Sequence, residues 1–239
     1  MTQLIEQRSR KAARILDSAR ELMLEHGVRK VTVNEIARAA GVAKGTVYLY
    51  WAAKEDLIVG LFARELLTFL DELIAPITAD HTLVLPHRLA PLLISTGLNL
   101  PLKSRLKSGD ADLMRLLSEP ENRDLFDRTR PSALCNTVLP VLSHHGLVRH
   151  DRSLATQAYV LHAVLTGFDV AVSNPASAAP LGVDAPAEVL SDTIAQLFAP
   201  PVAPAAPAIS AAAADTVAIL QEARDAVLDL IERSQITQE

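Results

Sequence analysis

The segment that most restricts the fold of this chain is V-T-V-N-E-I-A at 31–37, which carries a complete signal for the start of a helix. Thr32 can accept a hydrogen bond from the backbone N–H of Glu35, and the Glu35 carboxylate can reach back to Thr32, forming a capping box. Val31 and Ile36 stand where the two residues of a hydrophobic staple would pack. One helix is therefore predicted to begin at this segment.

Glycines and caps on either side of this segment predict a helix-turn-helix unit. Gly41 ends the helix after only a few residues, so another helix must run through V-A-K-G-T-V-Y-L-Y-W at 42–51. A longer helix is predicted before them at 9–26, with Ser9 as its cap and Gly27 at its end. Two short helices joined by a tight turn, behind a longer one, are typical of a helix-turn-helix unit.

The remainder of the chain has apolar residues at helical spacing and no convincing strand pattern, which predicts an all-α fold. Helices are predicted at 54–75, 84–107, 109–117, 121–145, 151–173 and 187–198. The Pro/Ala-rich stretch at 199–214 is predicted to be an extended linker. A last amphipathic helix follows at about 215–234. The expected domains are a helix-turn-helix domain at 1–53, a larger helical domain at 54–198, the linker at 199–214, and a C-terminal helix within 215–239.

The second short helix of such a unit enters the major groove of DNA, so its side chains are candidate DNA contacts. Lys44 can donate to guanine or to a phosphate, Gly45 allows close backbone approach, and Thr46 can contact a base. Tyr48 and Tyr50, placed on other faces of the helix, can donate their hydroxyls to phosphates. Two more phosphate contacts are predicted outside this helix, from Thr32 and Lys54.

Trp51 is predicted to belong to the core and not to the interface. The chain has only nine aromatic residues and this single tryptophan. With Val42 and Val47, it is expected to close a small core formed by Ile15, Leu22 and Ile36.

The stretch T-V-N-E-I-A-R-A-A-G-V-A-K-G-T-V-Y-L-Y-W-A-A-K-E-D-L, from Thr32 to Leu57, resembles the DNA-binding signature of the TetR family of transcriptional regulators. The resemblance implies that four residues face the bases: Lys44, Gly45, Thr46 and Leu49. It also implies phosphate contacts from Thr32, Tyr48, Tyr50 and Lys54. Two helix starts depart from the family pattern, because Ala43 and Ala53 replace residues that usually cap.

The charge of the N-terminal part of the chain differs in sign from that of the chain as a whole. Residues 1–60 hold ten Lys/Arg against seven Asp/Glu, although the whole chain has a net charge of −5. A basic end on an acidic body favours a polyanion-binding module, with chance asymmetry as the alternative. The single cysteine, Cys135, excludes an internal disulfide, and the longest apolar run is too short to span a bilayer. A cytoplasmic protein with no membrane contact is expected.

The helices at 151–173 and 187–198 are the candidate dimer interface. The first has apolar residues at near-heptad spacing, and the family resemblance implies a homodimer built on the last two core helices. The alternative is that both helices belong to the internal core. The predicted interface residues are Leu154, Ala158, Leu161, Leu165, Phe168, Val172, Leu190, Ile194 and Leu197.

The resemblance implies a ligand pocket among the middle helices, where Pro91, Pro101 and Pro140 would introduce kinks. The few aromatic residues favour an apolar, compact small-molecule effector, and no cofactor is predicted. Each polar candidate has surface exposure or an internal hydrogen bond as its alternative. The candidates are Ser95, Thr96, Asn99, Cys135, Asn136, Thr137 and His162.

These features together predict a homodimeric, ligand-responsive repressor that a small molecule releases from a palindromic operator. The alternative is a sequence-tolerant architectural DNA-binding protein without an inducer. An enzyme is not expected, because no phosphate-binding glycine loop, nucleophile elbow or H-E-x-x-H motif occurs. His144, His145 and His150 lie close in sequence but lack a further ligand at metal-binding spacing.

Overall fold

The computed structural model describes residues 4–102, 111, 115–116, 131–174, 176 and 179–236. No strand occurs among them, and the all-α fold class is confirmed. None of the described helices is long and apolar enough to cross a membrane. The helices are α1 (Ile5–Arg8), α2 (Arg10–His26), α3 (Val33–Ala39), α4 (Lys44–Tyr48), α5 (Lys54–Ala79), α6 (Pro86–Leu98), α7 (Pro131–His144), α8 (Leu154–Ser173), α9 (Pro186–Phe198) and α10 (Ala206–Arg233), with short 3₁₀ turns at His81–Val84 and Ala179–Leu181.

The described residues form two compact units that do not coincide with the predicted domains. The first unit takes its residues from Met1–Thr68, Leu100–Phe126 and Arg224–Glu239, and the second from Phe69–Asn99 and Asp127–Ala223. Residues 54–68 of α5 and 224–233 of α10 thus belong with the helix-turn-helix unit. The predicted boundary at residue 53 falls inside the first unit.

Two helices run further than predicted, and both contain a proline. The helix predicted to end at 75 continues through Pro76 to Ala79. The linker predicted at 199–214 is extended only in part, because α10 begins at Ala206. Pro207 lies in the first turn of α10, where the backbone N–H has no partner within the helix and its loss costs no hydrogen bond. The alanines that follow are strong helix formers, so the prediction of an extended chain at 206–214 is wrong.

The core of the first unit is built on one face of α2. Ser9 caps this helix by accepting from the Ala12 backbone N–H, and Gly27 ends it with φ +85°. Both features confirm the predicted helix. The buried residues of this unit come from α2, α3, α4 and the start of α5, and include Trp51 between α4 and α5: Ala12, Ile15, Ala19, Met23, Ile36, Val47, Trp51 and Leu57.

In the second unit, α9 packs on α6 and α7 packs on α8. Ser153 caps α8 by accepting from the backbone N–H of Thr156. The buried side chain of Gln157 donates to the backbone oxygens of Arg149 and Arg152, both at 3.0 Å, and so ties the loop before α8 to its first turn.

Four of the nine residues predicted for the dimer seam are buried inside the second unit. Ala158 and Leu165 of α8 are buried, as are Leu190 and Ile194 of α9, so these four cannot form the surface of a subunit. Heptad spacing shows that a helix packs on another helix, but it does not distinguish a neighbour in the same chain from a partner chain. Of the other predicted residues, Leu154 is exposed, whereas Leu161, Phe168, Val172 and Leu197 are half-buried.

The residues predicted to line a ligand pocket do not share one buried surface. Thr96 and Cys135 lie in the core, and burial raises the pKa of the Cys135 thiol to about 11. His162 is half-buried, and its Nδ1 atom has no hydrogen-bond partner among the described residues. The other four candidates are exposed: Ser95, Asn99, Asn136 and Thr137. The predicted helix at 109–117 and the first part of the one at 121–145 fall largely outside the described residues.

Candidate DNA-binding interface

The predicted capping box at the start of α3 is present. Thr32 Oγ1 accepts from the Glu35 backbone N–H at 3.3 Å, and Glu35 Oε2 accepts from the Thr32 backbone N–H at 2.8 Å. The Thr32 hydroxyl also donates to the same carboxylate oxygen, and these hydrogen bonds lower the pKa of Glu35. The staple residues Val31 and Ile36 are both buried. Short as it is, α3 is therefore fixed at its N-terminus by local contacts.

A tight turn connects α3 to α4. Gly41 has φ +63°, a conformation that side chains disfavour. The backbone N–H of Val42 donates to the Ala37 carbonyl oxygen at 2.9 Å and closes the turn. This geometry sets the angle at which α4 leaves α3, as the sequence predicted for a helix-turn-helix unit.

The outer face of α4 carries the residues predicted to meet the bases. Lys44, Gly45 and Leu49 are exposed, and Thr46 is half-buried. A Cβ placed on Gly45 would meet no atom within 4 Å, so the backbone there is open to close approach. Tyr48 is 40% exposed, and the Lys44 Nζ atom lies 5.8 Å from the centre of its ring, within cation–π range. A cation, an open backbone and a phenol thus share one surface.

Tyr50 does not belong to this surface, which corrects the prediction that it is exposed and grips a phosphate. It is only 8% exposed, and its hydroxyl lies 2.8 Å from Ser9 Oγ at the start of α2. The prediction carried helical spacing past the end of α4, which is at Tyr48. Beyond that point the backbone turns Tyr50 inward. The sequence held no signal that Ser9, a helix cap, would also hold a tyrosine hydroxyl.

Trp51 is completely buried, and its assignment to the core is confirmed. Its ring centre lies 5.7 Å from that of Tyr50 at a tilted angle. Val47, four residues earlier, is also buried, whereas Val42 and Leu22 are half-buried. The tryptophan and Tyr50 therefore anchor the chain segment that follows α4.

The remaining predicted phosphate contacts, Thr32 and Lys54, lie at the starts of α3 and α5. Thr32 is exposed, and Lys54 is half-buried with its Nζ 3.5 Å from the Arg29 carbonyl oxygen. The start of α5 is better capped than Ala53 suggests, because the Asp56 carboxylate accepts from the Ala53 backbone N–H at 2.9 Å. Half of a capping box is thus retained without a polar side chain at residue 53.

At the start of α4 nothing replaces the missing cap. Ala43 has an extended backbone, with φ −72° and ψ 148°, and no side chain accepts from the first N–H groups of the helix. We expect Ala43→Ser to stabilise the first unit by about 0.5–2 kcal/mol, since a serine at this position can accept from the N2 or N3 amide. Thermal denaturation measures the change. A melting temperature equal to or below that of the wild type, or one matched by Ala43→Val, would refute the capping argument.

The comparisons with known proteins agree with this geometry. A sequence model of "Bacterial regulatory proteins, tetR family" matches residues 15–61, which contain α3, α4 and the start of α5. Residues 15–61 are thus similar to the tetR family. The fatty acid metabolism regulator protein of Bacillus subtilis is 38% identical to this chain over 69 residues. That match spans 29% of the chain and only 36% of the regulator's length.

Solved structures extend the likeness from the matched N-terminal segment to most of the fold. FadR from Bacillus subtilis, in complex with stearoyl-CoA, superposes with a TM-score of 0.53 and 21% identity over 77% of this chain and 95% of FadR. The SmeT–triclosan complex gives a TM-score of 0.54 and 23% identity over 82% of this chain and 96% of SmeT. At these identities the likeness establishes the fold.

The family matched by residues 15–61 is one of regulatory proteins, which supports the prediction that this chain is not an enzyme. His145 Nε2 lies 2.7 Å from Asp215 Oδ2, so one member of the histidine cluster has a carboxylate partner. Within the described part of the chain, no three His, Cys, Asp or Glu side chains are grouped to hold a metal ion.

Proposed function

We propose that this protein is a homodimeric transcriptional regulator that places α4 in the major groove of a specific DNA sequence. The observation that carries the proposal is a set of exposed residues in and directly after α4: Lys44, Gly45, Tyr48 and Leu49. The segment that follows α4 is anchored by the buried Trp51. Lysine is suited to guanine, and the tyrosine hydroxyl to phosphate. A fixed helix with an exposed polar face is what direct readout of bases requires.

A second copy of the chain is proposed to pack against α8 and α9. The outward side of α8 presents Tyr159, Ala163 and Val170, with Tyr159 75% and Val170 57% exposed. The spacing of four and then seven residues places them on one stripe of the helix. Val189 on α9, which packs against α8, is also exposed. This stripe replaces the predicted seam as the candidate interface, because much of that seam is internal.

A dimer suits the proposed readout, because two copies of α4 related by a two-fold axis would read a palindromic operator. Dimerisation would also double the number of phosphate contacts, which supply much of the affinity for DNA. The acidic remainder of the chain would repel DNA outside the reading surface.

The second unit is proposed to bind an apolar small molecule that releases the repressor from its operator. Two proteins of similar fold have structures with small molecules that contain large apolar groups, FadR with stearoyl-CoA and SmeT with triclosan. The ligand would change operator affinity only as far as it binds the DNA-free and DNA-bound conformations differently. Operator affinity that is unchanged by every ligand bound in the second unit would contradict this part of the proposal.

The test of the proposed function is the selection of bound sequences from a pool of random duplex DNA, using the full chain. A sequence-specific dimer should enrich a palindrome and bind it on the order of 10³-fold or more above random duplex. An architectural protein would enrich no sequence and show similar affinity for all duplexes, with steep salt dependence. A selection without an enriched palindrome would therefore overturn the proposal.

The roles of α4 residues can then be separated on the enriched sequence. We expect Tyr48→Phe to weaken binding about equally across sequences in a folded protein and to leave the salt dependence unchanged, since the lost hydroxyl is uncharged. Lys44→Ala, if Lys44 reads a base, should cost about 1–3 kcal/mol and relax specificity at one position. Affinity for the enriched sequence and for its single-base variants measures both.

The control for these variants is Arg152→Ala, which also removes one exposed polar side chain but lies in the second unit. It should leave the operator affinity and the specificity unchanged. The assignment of Tyr48 would fail if Tyr48→Phe behaved like this control.

A further inference from the structure

The end of α10 contacts the segment that follows the candidate recognition helix. The backbone N–H of Ile236 donates to the Tyr50 carbonyl oxygen at 2.8 Å, although 186 positions separate them in the sequence. The side chain of Tyr50 is held separately, by Ser9. Both ends of Tyr50 are therefore fixed, two residues after α4 ends.

A glycine allows the chain end to approach α5 closely. A Cβ on Gly60 would lie 2.7 Å from Ser234 Oγ, which is too close for any unstrained contact. Ser234 is itself buried, and its hydroxyl donates to the Ile231 carbonyl oxygen at 2.7 Å. A larger residue at position 60 would therefore force the Ser234 hydroxyl to shift, and would also crowd Arg64 Nη1 at 3.2 Å.

An arginine on α5 joins this contact to the N-terminal helix. Arg64 donates from Nε and Nη2 to the two carboxylate oxygens of Glu6, at 2.7 and 2.8 Å, and from Nη1 to the Gly60 carbonyl oxygen at 2.9 Å. Nη2 also lies 3.5 Å from Gln235 Oε1. The Arg64 and Glu6 side chains are 12% and 22% exposed, so this two-pronged ion pair is shielded from water. Paired in this way, Arg64 connects α1, α5 and the residues after α10.

We propose that these contacts form a C-terminal clasp, made of Ser234, Gln235 and Ile236 with Gly60, Arg64 and Glu6, that positions α4 for DNA. The clasp rests on the proposed function, because it acts on the helix assigned to base reading. Its members are positioning residues, since the contact reaches α4 only through Tyr50. A recognition helix of five residues has few contacts of its own, so the segment that follows it decides how firmly it is held.

The first test removes a single hydrogen bond from the clasp. Ile236→Pro abolishes the N–H that Tyr50 accepts from, and Ile236→Ala is the matched control that keeps it. Ile236→Pro should speed backbone hydrogen exchange in residues 44–51 and weaken binding of the selected operator about 3- to 10-fold, the usual range for one hydrogen bond. Ile236→Ala should have a smaller effect on the exchange rate and on the operator affinity.

The second test fills the space between Gly60 and Ser234 with one substitution and reopens it with another. Gly60→Ala should have the same effects as Ile236→Pro. Adding Ser234→Ala removes the hydroxyl nearest to the new Cβ and should recover most of the operator affinity. Recovery in the double variant separates displacement of the clasp from a general loss of stability, because Ser234→Ala alone creates no new stabilising contact.

All affinities are compared well below the melting temperature of each variant, so that only folded protein is measured. If residues 44–51 exchanged their backbone hydrogens at the wild-type rate in both Ile236→Pro and Gly60→Ala, the clasp would be overturned. Faster exchange with unchanged operator affinity would overturn its positioning role. If the wild type selected no palindrome, the proposed function would fail, while the exchange data would still decide whether the clasp holds α4.

Discussion

Trp51→Ala is expected to unfold the first unit at or near physiological temperature. The side chain is completely buried at the point where the chain leaves α4, and removing a buried aromatic residue costs about 3–5 kcal/mol. Whole domains are stable by only about 5–15 kcal/mol, so a loss of this size removes much of the margin. Circular dichroism at the helical minimum should show an early partial transition, and binding to the selected operator should be lost.

Trp51→Phe is the matched control for this variant. The indole Nε1 is buried without a hydrogen-bond partner among the described residues, so the tryptophan carries a desolvation cost of about 1–3 kcal/mol that phenylalanine avoids. This gain should offset part of the lost packing, and Trp51→Phe should keep operator binding. Because Trp51 is the only tryptophan, wild-type fluorescence reports unfolding of the first unit directly. A Trp51→Ala protein that melts with the wild type would show that Trp51 does not hold this core together.

The second large effect is expected from the double variant Tyr159→Asp/Val170→Asp. Two carboxylates on the outward stripe of α8 would be buried unpaired in the proposed dimer, which strongly disfavours association. Sedimentation should then show a folded monomer with native helical content. Affinity for a palindromic operator should fall on the order of 100-fold, since each half-site would bind without its linked partner.

Two comparisons make this result specific to the stripe. Leu181→Asp/Val202→Asp also places two carboxylates at exposed apolar positions of the second unit, and it should leave the dimer intact. Ile194→Asp lies at a buried position and should unfold the unit instead of producing a folded monomer. If the Tyr159→Asp/Val170→Asp protein sedimented as a dimer, the second copy would pack elsewhere.

Local rules sufficed to predict the structure of the segment that is proposed to contact DNA. The capping box at Thr32 and Glu35, the positive φ at Gly41 and the absent cap at Ala43 each depend on residues within a few positions of one another. Such contacts can be predicted from the identity and spacing of neighbouring residues. The burial of Trp51 followed from the rarity of aromatic residues and its place beside Val47.

The errors arose where a feature depends on something that is not local. Tyr50 was placed by helical spacing, but its orientation is set by Ser9, 41 positions away. The heptad spacing of α8 correctly predicted a helix that packs on another helix. Whether that other helix belongs to the same chain or to a second copy depends on the tertiary arrangement, which the spacing does not encode. The Pro/Ala stretch was interpreted from composition, although the position of Pro207 in a helical first turn decides its effect.

The place of the C-terminal clasp has a consequence for the synthesis of this protein. Chains begin to fold from the N-terminus while they are being made, and contacts between distant segments form late. The residues of α4 emerge early, but the backbone N–H that holds Tyr50 exists only once residue 236 has been added. Nascent or truncated chains that stop before residue 224 should therefore bind the operator more weakly than chains that contain residue 236. A clasp made so much later than α4 would thus favour occupation of the operator by the longer chains, so that shorter products compete little for the same site.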